Sequence, residues 1–300
     1  MTLQQLKYII MVAETGTITE AASRLFISQP SLTNAIHELE KEMNIIIFDR
    51  TNKGIHISKD GADFLGYARQ VLEQATLLED RYKGGNGGKQ EFCVSTQHYS
   101  FAVNAFVDLI EKYGHDEYDF SLRETQTYEI IEDVAMMKSE IGVLYMNDFN
   151  RVVLEKEIKS HKLVFHELMQ AEPHVFISRK HPLADRNKVT MNELQDYPYL
   201  SFEQGEHNSF YYSEEIFSVE EKKKNIRVRD RATLFNLLIG LNGFTVCSGV
   251  IDEELNGKDI IAVPLEGEGG MHIGYITHRN ISLSRLGEIY VEALKRCVLT

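Results

Sequence analysis

Along residues 19–50 the apolar positions recur at helical spacing, break once and resume. Ala21, Ala22 and Leu25 fall on one face of a short helix, Ile27 marks a turn, and Leu32, Ile36, Leu39 and Met43 return at three- and four-residue steps. This spacing predicts two helices that share a core. Ahead of them Leu3, Leu6, Ile10 and Val12 or Ala13 predict another amphipathic helix. Behind them Ile45, Ile47, Ile55 and Ile57 flank the polar segment Arg50-Thr51-Asn52-Lys53-Gly54, the pattern of a two-stranded wing. Helix punctuation agrees with this. Thr17 stands three residues before Glu20 and predicts a capping box. Ser28 is a cap for the second helix, and Pro30 lies in its first turn, where a missing amide hydrogen costs little.

The second helix leaves Gln29, Ser31, Thr33, Asn34 and His37 to solvent, short polar side chains suited to hydrogen-bonding base edges in a major groove. Arg50 and Lys53 suit backbone phosphates. A helical hairpin with no nucleic-acid role is the alternative. Phe48-Asp49-Arg50, Ser28-Gln29-Pro30-Ser31, Ala21-Ala22 and Leu39-Glu40 stand in an order and spacing by which residues 1–60 resemble the winged helix-turn-helix domain of LysR-type transcriptional regulators. One departure bears on affinity. Asn34 occupies a place where many members of that family carry a basic residue, and an unperturbed His37 is neutral at pH 7, so phosphate contact from this helix is expected to be weaker.

Ser58 is a good cap, and after it Gly61, Phe64, Ala68, Val71, Ala75, Leu78 and Tyr82 alternate three- and four-residue steps, with Leu65 and Leu72 widening the stripe. Such a seam suits a helix that pairs with a copy of itself, and about 25 residues rising ~1.5 Å each give roughly 37 Å of helix. The resemblance implies a linker helix over 58–83 that dimerises; a surface helix packed on its own domain is the alternative. The Gly-rich segment 84–90 then predicts a hinge. It is not a phosphate loop, because Lys83 stands where a Gly is needed and Gln90 where a Ser or Thr is needed.

From Glu91 onward short β-branched or aromatic runs alternate with helical stretches in βαβαβ order, which predicts an α/β effector domain over 91–300. The resemblance extends here more loosely. It implies two subdomains arranged as in periplasmic binding proteins, one of 91–161 with 265–300 and one of 162–264. The chain would then cross near His161 and return near Val263 to Leu265. Ser95-Thr96-Gln97 ends the first strand before a helix, where hydroxyls and free amides would favour a carboxylate, sulfate or phosphate. Thr125 and Gln126 repeat that arrangement after the second strand. Ser201 and Phe202 stand where the resemblance implies a contribution to the cleft from the second subdomain. Helix capping alone is the other reading of these hydroxyls. Cys247-Ser248-Gly249 replaces a Pro-containing stretch that many relatives have, which bears on the cleft wall.

Composition narrows the rest. With 300 residues, 43% hydrophobic and 26% charged, the chain suits about two globular domains. A net charge of −13 looks adverse for a DNA binder, but Arg24, Arg50, Lys53 and Lys59 cluster around the reading head. Glu214-Glu215, Glu220-Glu221 and Asp252-Glu253-Glu254 lie far downstream. Three separated cysteines, Cys93, Cys247 and Cys297, imply neither a disulfide framework nor a zinc cluster. No leader pattern, membrane-length apolar run, nucleophile elbow or metal-binding helix motif occurs. The expectation is a cytoplasmic regulator without cofactor, metal or catalysis. Its expected partners are double-stranded DNA, a small and anionic effector, further copies of itself as dimer or tetramer, and RNA polymerase, with no membrane. The rival classes are a cytoplasmic small-molecule-binding protein or enzyme that uses the α/β half, and an architectural DNA binder that senses nothing.

Overall fold

The first helix, α1 (Leu3–Thr15), starts at a reciprocal cap: Gln5 N donates to Thr2 Oγ1 at 3.1 Å and Thr2 N to Gln5 Oε1 at 2.9 Å. Gly16, with φ at +70°, ends it in a left-handed turn. Its buried stripe is Leu6, Ile9 and Val12: Leu6 and Val12 of the predicted set are in the core, Leu3 is exposed, and Ile9 takes the buried place expected of Ile10, which is half-buried. Helix α2 (Ile18–Arg24) takes only half of its predicted capping box. Thr17 accepts from Glu20 N at 3.3 Å, but the Glu20 carboxylate pairs with Arg24 Nε at 2.9 Å. Helix α3 (Gln29–Met43) begins as the sequence predicts, with Ser31 N donating to Ser28 Oγ at 3.2 Å and Pro30 in the first turn.

This computed structural model describes residues 1–51, 54–83, 90–114, 117–207, 209–218, 221–251, 256–267 and 269–298, and the chain divides into two compact units, Met1–Gly88 and Lys89–Thr300. Lys53 and hinge residues 84–89 lie outside the described residues, as do Glu220 and the acidic run at 252–254.

In the first unit Leu6, Ile9, Val12, Ala21, Ala22, Leu32, Ile36 and Leu39 share one core with Ile47, Phe48, Leu65 and Ala68. The wing consists of antiparallel strands β1 (Phe48–Thr51) and β2 (Gly54–Ile57). The half-buried Glu40 joins α3 to it, its Oε1 accepting from Ile47 N at 2.8 Å and Phe48 N at 3.1 Å. Helix α4 (Lys59–Lys83) is capped by Ser58, which accepts from Gly61 N at 2.8 Å. Gly61 is no seam residue. A Cβ there would lie 2.1 Å from Ile47 O, so the first turn of α4 touches backbone directly. Leu65 and Ala68 are buried in their own unit, whereas Val71 and Leu78 are exposed, Leu78 by 60%. The stripe therefore divides: Leu65 and Ala68 close the core of the first unit, while Val71 and Leu78 stand in solvent.

Among its described residues the second unit holds two sheets. The first runs β4 (Tyr118–Glu124), β3 (Gln90–Thr96), β5 (Ile141–Met146), β13 (Met271–His278), β6 (Leu163–Ala171). Strands β3, β4 and β5 are parallel, and β13 runs antiparallel to β5 and β6. Helices α5 (Ser100–Tyr113), α6 (Thr127–Ala135) and α7 (Arg151–Ser160) belong to this half, as does the final helix α10 (Arg285–Cys297). The second sheet runs β10 (Asn225–Val228), β9 (Tyr199–Phe202), β11 (Phe244–Cys247), β7 (His174–Ser178), β12 (Ile260–Glu266), β8 (Val189–Thr190). Helices α8 (Met191–Leu194) and α9 (Arg231–Leu241) accompany it.

The subdomain boundaries need correction. Strand β6, expected in the second subdomain, pairs with β13 along its whole length, from Leu163 against His278 to Ala171 against Met271. The chain thus crosses after Ala171 and not at His161, and it returns between Glu266 and Met271 and not at 263–265. Both crossing strands hydrogen-bond within one sheet before leaving it, a long-range pairing that helical periodicity does not register.

Candidate functional site

In the first unit α3 is buried along Leu32, Ile36 and Leu39, which leaves Gln29, Ser31, Asn34 and His37 exposed and Thr33 half-buried. These are the side chains expected to meet base edges, and they share one helix surface. Ser31 Oγ lies 2.7 Å from Ser28 Oγ, so that hydroxyl also serves the cap. His37 Nδ1 lies 3.5 Å from Glu40 Oε2. Arg50 stands opposite Ile55 in the wing register. Beside α3, sequence patterning overlooked Phe26. It sits in the turn after α2 with φ at +54° and is 94% exposed, a large apolar side chain standing in solvent shortly before α3 begins.

In the second unit the residues expected to form an anion pocket take different parts. Ser95 is fully buried, its hydroxyl donating to Asp133 Oδ2 at 2.8 Å and lying 2.8 Å from Ser139 Oγ. Thr96 Oγ1 donates to Gln97 O at 2.7 Å. Gln97 N donates to Val143 O, and its side chain links Thr127 Oγ1 at 2.6 Å to Tyr145 N at 3.0 Å. Ser95 and Gln97 thus spend their side-chain polar atoms on interior partners 30 or more residues away and Thr96 on the next carbonyl, and none of the three lines the cavity walled by Phe176 and Phe202. Thr125 Oγ1 donates to Glu129, and Gln126 precedes α6 without a side-chain cap. Ser201 is buried on β9.

One residue beyond the predicted triplet, the two subdomains meet. His98 N donates to Glu214 Oε2 at 3.0 Å, and His98 Nδ1 lies 2.9 Å from the same oxygen. Gln204 Nε2 donates to Glu214 Oε1 at 3.2 Å, while Gln204 Oε1 accepts from Thr127 N at 3.0 Å. The His98 ring stacks on Phe202 with centroids 3.7 Å apart and planes within 2°. Burial alone would lower the pKa of His98, but the Glu214 carboxylate against it outweighs that and holds it above the ordinary histidine range. At the start of α9, Arg231 Nη2 lies 2.8 Å from Glu124 Oε1 at the end of β4. Burial raises the pKa of Glu124, and the guanidinium opposes this.

These contacts close over a cavity of about 40 Å³, walled by Phe176, Phe202, Leu234, Phe235, Val246 and Met271 together with Thr245. Its polar edge carries His98, Glu214, Glu215 and Arg231. Glu215 Oε1 accepts from Phe202 N at 2.7 Å; burial, and then the adjacent Glu214 charge, push its pKa up to about 8. The Cys247 thiol at the cavity wall is driven upward by burial and is held as a thiol, not as a nucleophilic thiolate. Of the seven residues expected to contact an effector, Phe202 alone lines this cavity. Polar residues that do, among them His98, Glu214, Arg231 and Thr245, lie on segments with no sequence signal that brings them together. Among the described residues no group of three His, Cys, Asp or Glu side chains converges as a metal site. No helix among them is long and apolar enough to cross a membrane.

Residues 3–62 match the bacterial regulatory helix-turn-helix protein, lysR family, and residues 93–297 match the LysR substrate binding domain. The HTH-type transcriptional regulator YnfL of Escherichia coli is 30% identical over 206 residues, 67% of this chain and 65% of that protein, so the match spans just under two thirds of the relative. A full-length OxyR variant from Pseudomonas aeruginosa superposes with a TM-score of 0.69 at 17% identity, over 99% of this chain and 94% of that one. CbnR, a LysR family transcriptional regulator, does so with a TM-score of 0.58 at 19% identity, over 99% of each chain. At such identities the likeness is one of fold. The two family matches take in both units, the reading head and the α/β half, and by them the chain belongs to the LysR family of helix-turn-helix regulators.

Proposed function

We propose that this chain is a sequence-specific DNA-binding transcriptional regulator, cytoplasmic and homo-oligomeric, whose second unit senses a small molecule in the cleft between its two sheets. The observation that carries the reading is the division of α3, which closes the core of the first unit with Leu32, Ile36 and Leu39 and offers a polar surface on its other side. CbnR, whose fold this chain resembles with a TM-score of 0.57 at 19% identity, is known in complex with its target DNA. By that analogy Gln29, Ser31, Thr33, Asn34 and His37 meet base edges, and Arg50 and Lys53 hold phosphates. The uncovered stretch of α4 with Val71 and Leu78 suits pairing with a second copy. That would set two reading heads on one pseudo-palindromic site.

The effector acts by differential affinity for two arrangements of the cleft, which changes the spacing of reading heads and contact with RNA polymerase. No catalysis is part of this reading. The test is to sequence genomic fragments retained by the purified protein, then to screen metabolites suggested by the neighbouring genes for thermal stabilisation. A defined set of retained fragments and one stabilising metabolite are expected. Indiscriminate retention would overturn the DNA role, and a defined set without any stabilising metabolite would overturn the sensing role.

A further inference from the structure

The cleft of this chain already holds a carboxylate, and that carboxylate is its own. Glu214, only 7% exposed, receives the His98 amide just ahead of α5, the His98 ring and the Gln204 side-chain amide, at 3.0, 2.9 and 3.2 Å. A backbone amide, an imidazole ring nitrogen and a side-chain amide together form a donor set by which a protein can hold a free carboxylate. A second observation marks the place as a ligand site. Thr245, 4% exposed and lining the adjoining cavity, has a hydroxyl without a hydrogen-bond partner among the described residues. Arg231 Nη1, at the same cavity, likewise has none. Buried donors left unmatched cost free energy unless something carries an acceptor to them.

We propose that Glu214 is a built-in occupant of the carboxylate site in the cleft. The effector is then a small monocarboxylate that displaces it, seating its own carboxylate on His98 and Gln204, its apolar body among Phe176, Leu234, Phe235 and Met271, and an acceptor oxygen against Thr245 or Arg231. The inference rests on the cleft being the sensing site. Phe176, Leu234, Phe235, Val246 and Met271 give the cavity an apolar stretch of wall, which suits a compact hydrocarbon body. Displacement also supplies the signal. Glu214 lies just after the aromatic segment Phe210–Tyr212, where Tyr212 packs edge-on against Tyr128 and Tyr211 stacks on Phe149, both of the first subdomain. Expelling Glu214 frees the contact that ties this segment to His98.

The test uses the full-length protein, with butyrate and butylamine as probes at matched ionic strength. Glu214→Ala uncovers the donor set, so butyrate should stabilise that variant saturably against heat, and butylamine should not. Wild type must first expel its own carboxylate, so its apparent Kd for butyrate should be weaker by about tenfold or more. Adding His98→Ala to Glu214→Ala should abolish the butyrate effect. An equal response to both probes, or equal butyrate affinity in wild type and Glu214→Ala, would overturn the proposal. Should Glu214→Ala fail to fold, Glu214→Gln supplies the second reading. The His98 pKa, followed by NMR, should fall when the opposing charge is removed, and an unchanged value would overturn the pairing on which the proposal stands. If butyrate fails to act on Glu214→Ala while another metabolite stabilises wild type, this inference falls and the sensing role survives. If butyrate acts as expected but no ligand alters the DNA footprint, the carboxylate site stands and the sensing role falls.

Discussion

Glu215→Gln isolates the least comfortable charge in the cleft. The Glu215 carboxyl is buried beside Glu214 and held protonated, with its pKa lifted from an ordinary 4.5 to about 8. For an acid whose folded pKa lies above its unfolded one, the proton favours the fold. Its contribution is complete below the unfolded value, is lost as pH rises through the interval from 4.5 to about 8, and changes no further above it. The shift corresponds to stability on the order of 5 kcal/mol, of which about 3 kcal/mol is gone by neutral pH. Glutamine cannot ionise and its carbonyl can still accept from Phe202 N, now 2.7 Å from Glu215 Oε1. Glu215→Gln should thus gain on wild type as pH rises, by roughly 3 kcal/mol between about pH 5 and pH 8. Urea unfolding of the full chain at several pH values measures this, with hydrogen exchange of β9 and β11 amides reporting on the second unit alone. Parallel stability curves for the two proteins would show that the carboxyl is ionised in the fold, and would refute the reasoning.

Two further substitutions probe how the reading head is built. Glu40→Ala removes the acceptor for the Ile47 and Phe48 amides, and should lower the stability of the first unit by about 1–3 kcal/mol in chemical denaturation; an unchanged midpoint would mean that solvent satisfies those amides. Gly61→Ala places a methyl 2.1 Å from Ile47 O, a contact only backbone movement relieves. Thermal unfolding should show a substantial loss for it, and a value equal to wild type would show that α4 moves freely against the wing.

The first unit was legible because its signals are local. Thr17, Ser28, Pro30 and Ser58 mark helix starts within three residues of the groups they serve, and Leu32, Ile36 and Leu39 of the predicted α3 stripe are buried, with Met43 half-buried at its end. Where a local rule had two solutions it failed: Glu20 faced both a cap and Arg24, and the salt bridge took its carboxylate. The order of strands and helices through β5 was readable from alternation, but β6 was assigned to the wrong sheet because its partner β13 lies about a hundred residues downstream. The cleft was the least legible part. His98 and Glu214 are separated by 116 positions, and neither carries a motif. The Ser and Thr residues that looked like ligand contacts do so through composition alone, and three-dimensional packing gave several of them interior partners. Only the strand end itself was placed well, one residue short of the amide that meets Glu214.

The central claim, that the exposed side of α3 distinguishes DNA sequences while the wing holds the backbone, is tested most directly by fluorescence-anisotropy titration of Asn34→Ala and Lys53→Ala. Each is measured on a retained genomic fragment and on a scrambled duplex across a salt series. Asn34→Ala should lose about 1–3 kcal/mol on the retained fragment with little change on the scrambled one. Lys53→Ala should weaken both and reduce the salt slope by roughly one. Equal losses from the two substitutions on both duplexes would contradict the account.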